Sequence, residues 1–205
     1  MFLRYMNPSN TLTLLRIFLS PLFPLLYLGR DFFGIPLLWL PYILLLLLVI
    51  CECSDFFDGV LARRRNQVTD IGKVLDPMAD TITHVSLFFS FTQGFVSLPL
   101  LPVLVFLYRD IFVTTLRTLC ALKGVALAAR MSGKVKAFLQ AAIAFLIILL
   151  MIPYSVGWLS LELFQKISLF ATSIAALYTA VSIGDYVYAN RTYIKRAFQE
   201  RFIKP

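Results

Sequence analysis

Acid is scarce in this 205-residue chain, at 11 Asp and Glu against 19 Lys and Arg. Charged residues of both signs make up only 15% of it, and no polar stretch is long enough to build a soluble domain. Three cysteines, Cys51, Cys53 and Cys120, make no disulfide framework. Cys51 and Cys53 lack the His and Cys partners of a zinc site, so they read as small buried hydrophobes. A single histidine, His84, excludes any His-rich chemistry. Internal repeats and low-complexity linkers are missing too. The first apolar run has no small-residue cleavage site and contains Pro21 and Pro24, so it reads as a retained helix rather than a signal peptide.

What is present is apolar. Hydrophobic residues make up 60% of the chain, and mean hydropathy is +0.82. Soluble domains are usually about 45–50% apolar. The expected fold is therefore an all-α integral membrane protein, in one domain covering 1–205. A span needs about 20 mostly apolar residues. Six are predicted, at 12–29, 36–62, 74–96, 99–121, 134–155 and 167–188. The second turns polar from Glu52 onward and should project beyond the hydrocarbon.

Charge placement sets the orientation. Arg63, Arg64, Arg65 and Lys73 lie in one polar stretch, Lys123, Arg130, Lys134 and Lys136 in another. Arg191, Lys195, Arg196, Arg201 and Lys204 form a basic tail, while the intervening stretches hold only Arg30 and Lys166. The positive-inside rule puts the basic stretches and both termini in the cytoplasm. An anionic membrane surface and phosphate-bearing substrates explain these charges better than nucleic acid does. The tail, with Tyr193, Phe198 and Phe202 among its cations, reads as a short amphipathic surface helix or as a frayed basic terminus.

Against this scarcity of acid, five aspartates crowd between 55 and 80, four of them at the specified positions of the string Asp55-x2-Asp58-Gly59-x2-Ala62-Arg63-x8-Gly72-x3-Asp76-x3-Asp80. Ionisable groups in membrane helices are costly and functional by default. Helical spacing places 55, 58, 59 and 62 on one stripe and 72, 76 and 80 on another. Two antiparallel helices joined by a short polar connection would gather all four near the cytoplasmic interface. Pro77 either sits inside the second helix or starts it, with Asp76 as the cap. Four clustered acids call for a cation, and carboxylates with substrate phosphates suit Mg²⁺ or Mn²⁺. A pair of metals stabilises the attacking and leaving oxygens of an in-line displacement, and a carboxylate outside the metal shell takes a proton from a hydroxyl. Gly59, Gly72 and Ala62 either admit a bulky ligand to the backbone or permit close helix packing. Arg63 pairs with a phosphate or an aspartate, or anchors the helix at the interface.

This string matches the signature of the CDP-alcohol phosphotransferases, and the chain resembles that family at every specified position. The resemblance implies six transmembrane helices, a homodimer, and an active site opening at the cytoplasmic leaflet of the cell inner membrane. It implies that Asp55, Asp58, Asp76 and Asp80 hold two divalent ions, Mg²⁺ or Mn²⁺. Asp80 also accepts the proton. Gly59, Ala62, Arg63, Thr69 and Gly72 fall on the side of the CDP-linked donor. Asn10 and Thr13 fit the family's Asn-x-x-Thr element, which lines the nucleotide site.

Within that family the chain is most similar to the bacterial phosphatidylglycerophosphate synthases. The similarity covers Asn10-x-Leu12-Thr13-x-x-Arg16, the aspartate motif, Arg109-Asp110 and Gly133-Lys134-Val135-Lys136. It implies transfer of a phosphatidyl group from CDP-diacylglycerol to sn-glycerol 3-phosphate within a lipid bilayer. Arg109, Lys134, Lys136 and Tyr186 would then bind the acceptor phosphate. Read from the residues alone, Arg109 is equally a buried partner of Asp110, and the two lysines are equally interface anchors. Ser9 stands where proline is frequent and Ala137 where threonine is frequent. The alternatives are the same chemistry on inositol phosphate, phosphatidylglycerol or an amino alcohol, or a divalent-metal transporter. His84, one turn past Asp80, either packs or relays a proton.

Overall fold

The computed structural model describes residues 8–64, 70–122, 124, 127 and 130–199; side chains at 8–9, 58–64, 70–71, 73–74 and 196–199 fall outside the description. The described residues form seven helices and no strand. These are α1 (Pro8–Leu19), α2 (Leu22–Leu28), α3 (Leu40–Arg64), α4 (Asp70–Ser90), α5 (Leu100–Leu122), α6 (Met131–Ser155) and α7 (Leu161–Gln199).

The helices make six rods. The first is broken where Ser20 and Pro21 interrupt the helix, and α2 resumes directly after. Four rods are long and apolar enough to cross a membrane: Asn10–Leu28, Leu40–Phe57, Met131–Ser155 and Leu161–Lys195. The other two, α4 and α5, have the length but carry charge at Asp76, Asp80, Arg109, Asp110 and Arg117. Side chains such as Phe18, Leu101, Phe138 and Leu177 stand at least 70% exposed, as expected of an outer wall solvated by lipid.

Packing joins α1 to α3 and α4, α4 to α5, α5 to α7, α7 to α6, and α6 back to α3. This closes a ring, with α4 and α6 also touching. One end of the ring is apolar. There Phe88, Phe91, Phe106, Ile147 and Phe164 are completely or almost completely buried. Tyr154 stacks on Phe164 with ring centroids 5.4 Å apart, and Phe95 stacks on Tyr154 at 5.2 Å. Tyr27 ties the connection after α4 to this end: its hydroxyl donates to the Gln93 carbonyl and accepts from the Val96 amide. Gly94 is required there, since a Cβ would lie 3.0 Å from that hydroxyl and φ is +65°.

Three expectations change. Helix α4 runs from Asp70 straight through Pro77, so Asp76 does not cap a helix beginning at Pro77. The proline removes one backbone donor, and membrane helices tolerate that where local groups compensate. The third span ends at Ser90 rather than 96, because a turn at Gly94 redirects the chain. The basic tail continues α7 without a break as far as Gln199, so that part is no separate surface helix; Arg201, Phe202 and Lys204 lie outside the described residues. At 1.5 Å per residue, 39 residues span about 58 Å, far beyond a hydrocarbon core of about 30 Å.

Candidate active site

The site lies at the end of the ring away from the aromatic core. Antiparallel neighbours bring together the N-terminal part of α1, the C-terminal part of α3 and the first turns of α4. Thr13 and Arg16 stand one turn apart on α1 and are both buried. Thr13 donates to Asp76 Oδ1 at 3.0 Å. Arg16 Nη1 bridges two helices, lying 2.5 Å from Asp55 Oδ1 and 2.8 Å from Asp80 Oδ1. The arginine is buried, whereas both carboxylates are about half exposed.

Asp58, Gly59, Ala62 and Arg63 belong to α3, but their side chains fall outside the description; Thr69 lies outside the described residues altogether. Gly72 is buried in α4 and Asn10 in α1. Among the described residues, no three His, Cys, Asp or Glu side chains form a group able to hold a metal ion. Asp58 is not part of that comparison. The donor chemistry nonetheless fits a hard divalent cation. Carboxylate oxygens from α3 and α4 already converge on one positive group, the Arg16 guanidinium.

A basic wall faces these acids. Arg109 and Asp110 are adjacent on α5 and both buried, with Arg109 Nη1 3.0 Å from Asp110 Oδ1. Lys136 of α6 donates to both oxygens of the same carboxylate, at 2.8 and 2.6 Å. Two cations share one anion, leaving a net positive charge. Arg109 Nε is further held by Ser182 of α7 at 3.3 Å. The close approach of α6 explains Gly133, where a Cβ would lie 3.2 Å from Arg109 Nη2. Arg117 is fixed by Tyr186, donating to its hydroxyl at 3.1 Å, with the guanidinium carbon 5.4 Å from the ring centroid. Arg130 and Ser132 both hold Asp185, at 2.9 and 2.5 Å.

Between the walls lies a cavity of about 290 Å³. Asp76 and Asp80 line it from α4, Arg109 and Arg117 from α5, and Lys134 and Lys136 from α6. Arg130, Asp110, His84 and Gln140 also contribute. The volume suits a small polar molecule rather than a whole lipid. A second cavity of about 200 Å³ is lined by Arg16, Glu52, Asp55 and Phe138, and shares Asp80, His84 and Ala137 with the first. Among the described residues, Asp80 is thus the one aspartate common to both spaces. His84 stands on the same divide, with Nδ1 3.1 Å from the Asp80 carbonyl and Nε2 3.3 Å from Glu52 Oε1.

The sequence-derived set is therefore brought together in part. Asp55, Asp76, Asp80 and Thr13 converge, as do Arg109, Lys134 and Lys136. The ion pair of Arg109 with Asp110 and its place on the cavity wall coexist, since a guanidinium has donors for both. Tyr186 differs from expectation: it is 1% exposed, is not among the cavity-lining residues, and lies against Arg117. Sequence reasoning gave no site role to Arg16, Asp110, Arg130 or Gln140. Arg16 had a legible signal, standing at i+3 from Thr13 inside an apolar run. Asp185 pairing with Arg130, 55 residues away, had none.

Residues 6–184 match the family model described as CDP-alcohol phosphatidyltransferase. The chain is 32% identical over 197 residues to the CDP-diacylglycerol--glycerol-3-phosphate 3-phosphatidyltransferase of Bacillus subtilis (strain 168), covering 92% of this chain and 97% of that one. It is 32% identical over 189 residues to the protein of the same name from Sodalis glossinidius (strain morsitans), covering 91% and 96%. With the Escherichia coli (strain K12) protein of that name, identity is 34% over 137 residues, covering 65% and 72%. With its aspartate-bearing helices, its apolar rods and a match over most of its length, this chain belongs to the CDP-alcohol phosphatidyltransferase family.

Proposed function

We propose that this membrane enzyme transfers the phosphatidyl group of CDP-diacylglycerol to sn-glycerol 3-phosphate, giving phosphatidylglycerol phosphate and CMP. The observation that carries this reading is the cavity of about 290 Å³ with carboxylates on one wall and five cations on the other. An acceptor alcohol bearing a phosphate dianion needs both walls. The cations hold its phosphate, and a carboxylate takes the proton from its hydroxyl. The names of the relatives support the same pair of substrates.

Arg109, Lys134 and Lys136, joined by Arg117 and Arg130, bind the acceptor phosphate. Asp110 keeps Arg109 and Lys136 side by side, and Tyr186 positions Arg117. The acceptor hydroxyl is directed toward Asp80. Its oxygen forms a new bond to the phosphorus next to diacylglycerol, the bond from that phosphorus to the CMP oxygen breaks, and the hydroxyl proton passes to Asp80. Asn10, Thr13, Gly59, Ala62, Arg63, Thr69 and Gly72 serve the CDP-linked donor. Asp55, Asp58, Asp76 and Asp80 would hold Mg²⁺ or Mn²⁺, whose charge, when bound, offsets that developing on the pyrophosphate. The homodimeric state, the cell inner membrane and a cytoplasmic-facing site belong to the same reading.

The test is CMP release by the purified protein in detergent, with CDP-diacylglycerol, Mg²⁺ or Mn²⁺, and a panel of acceptors. Release stimulated by glycerol 3-phosphate alone and abolished by chelation is the expected result. Release only with inositol phosphate, phosphatidylglycerol or an amino alcohol overturns the acceptor. No release with any acceptor overturns the transferase reading.

A further inference from the structure

Gln140 is the one uncharged amide on the cavity wall. It lies on α6 one turn beyond Lys136 and is completely buried. Among the described residues, neither its Nε2 nor its Oε1 has a hydrogen-bond partner. A buried amide left unpaired is destabilising. The cost is borne inside a span whose next buried residues, Ile143, Ala144, Ile147 and Ile148, are all apolar. A methionine of similar volume would avoid it. An amide kept at such a place, on the wall of a ligand cavity, is poised for a group that arrives with the ligand.

The remaining polar groups of the wall restrict what that group is. Cations suit the acceptor phosphate, and Asp80 suits the attacking hydroxyl. Neither kind complements a second hydroxyl that must both donate and accept; of the other groups on the wall, Thr81 already donates to the Pro77 carbonyl, His84 sits against Glu52 and Thr114 offers a single hydroxyl, whereas the primary amide of Gln140 offers a separate donor and acceptor. Side chains four residues apart on a helix stand about 5–6 Å apart, which is the scale of a three-carbon polyol phosphate. We propose that Gln140 is the specificity residue for the acceptor's non-reacting hydroxyl. The amide N–H donates to that oxygen and the amide carbonyl accepts its proton, while Lys136 one turn away holds the phosphate. The assignment rests on the proposed acceptor and names the residue that distinguishes it from a simpler phospho-alcohol.

The experiment pairs removal of the residue with removal of the hydroxyl. CMP release by the full chain is measured with sn-glycerol 3-phosphate and with 3-hydroxypropyl phosphate, which keeps the phosphate and the attacking hydroxyl but lacks the middle one. The native protein should favour glycerol 3-phosphate by about 10- to 100-fold in kcat/KM, since the analogue leaves the buried amide unpaired. In Gln140→Met that preference should vanish, by loss on glycerol 3-phosphate alone. Thermal stability should hold or rise, because no amide is then buried unpaired. Gln140→Asn, which keeps a shortened amide, should lose activity on the hydroxyl-bearing acceptor only, and it substitutes if the methionine variant fails to fold. A parallel fall on both acceptors makes Gln140 a packing residue and overturns the assignment. So does a native protein that turns over both acceptors equally. A native protein inactive with both overturns the proposed acceptor itself, and this assignment with it.

Discussion

The two ends of the helix ring are built by opposite rules. At the aromatic end, Phe95, Tyr154 and Phe164 stack, and the polar atoms of Tyr27 are satisfied by its own neighbourhood. At the charged end, Asp55 and Asp80 share one guanidinium, Arg109 and Lys136 share one carboxylate, and Gln140 has no partner. One end is satisfied by itself, and under the proposed function the other is completed by ligands. Stability and function are therefore expected to separate along the length of the same helices, as the general trade between activity and stability requires.

The strongest way to break that comparison is Asp80→Asn. Transfer should fall by about 10²–10⁴-fold, the range for loss of a general base, with little change in thermal unfolding because Asp55 remains to pair Arg16. Activity close to the native level in that variant would remove Asp80 as proton acceptor. Next is Lys136→Met, which leaves Asp110 buried with only Arg109. Breaking a buried pair typically costs about 3–5 kcal/mol. Both the unfolding temperature in detergent and the KM for acceptor should respond, tying the cation pair to binding.

At the opposite end, Phe164→Ala removes a buried ring from the stack, a change that costs about 3–5 kcal/mol in packed cores. The unfolding temperature should drop while the KM for acceptor stays put. A changed KM would show that the two ends are coupled. Smaller still is Gly133→Ala. Its new methyl meets a guanidinium rather than backbone, so Arg109 can shift by a few tenths of an ångström. A modest rise in acceptor KM with unchanged stability is expected. Arg130→Ala should have the least effect, because Arg130 is exposed and already paired with Asp185. Its rise in KM should fade as salt is added, and an unchanged KM at low salt would remove Arg130 from the acceptor site.

Sequence and structure agree best where information is local. Apolar runs reveal spans because an unpaired backbone has no partner in lipid, so such runs must be helices. The spacing of Asp76 and Asp80 places them on one stripe by helical period alone. Boundaries were less legible: the continuation of α4 through Pro77 and the unbroken α7 depend on neighbours rather than on propensity. Tyr186 carries the same lesson. Its position near the end of the last span was readable, but its contact is with Arg117, 69 positions earlier.

By itself the sequence determined the class of protein, the all-α architecture, the aspartate motif and the helices that carry it, because hydropathy and helical period are properties of neighbouring residues. Only the tertiary structure decided which charges meet. Arg16 between Asp55 and Asp80, Asp110 between Arg109 and Lys136, and the unpaired amide of Gln140 all depend on how separate helices pack against one another. Coulombic and hydrogen-bonding partners are chosen by distance in space, over a few ångströms, and sequence separation carries no record of that distance.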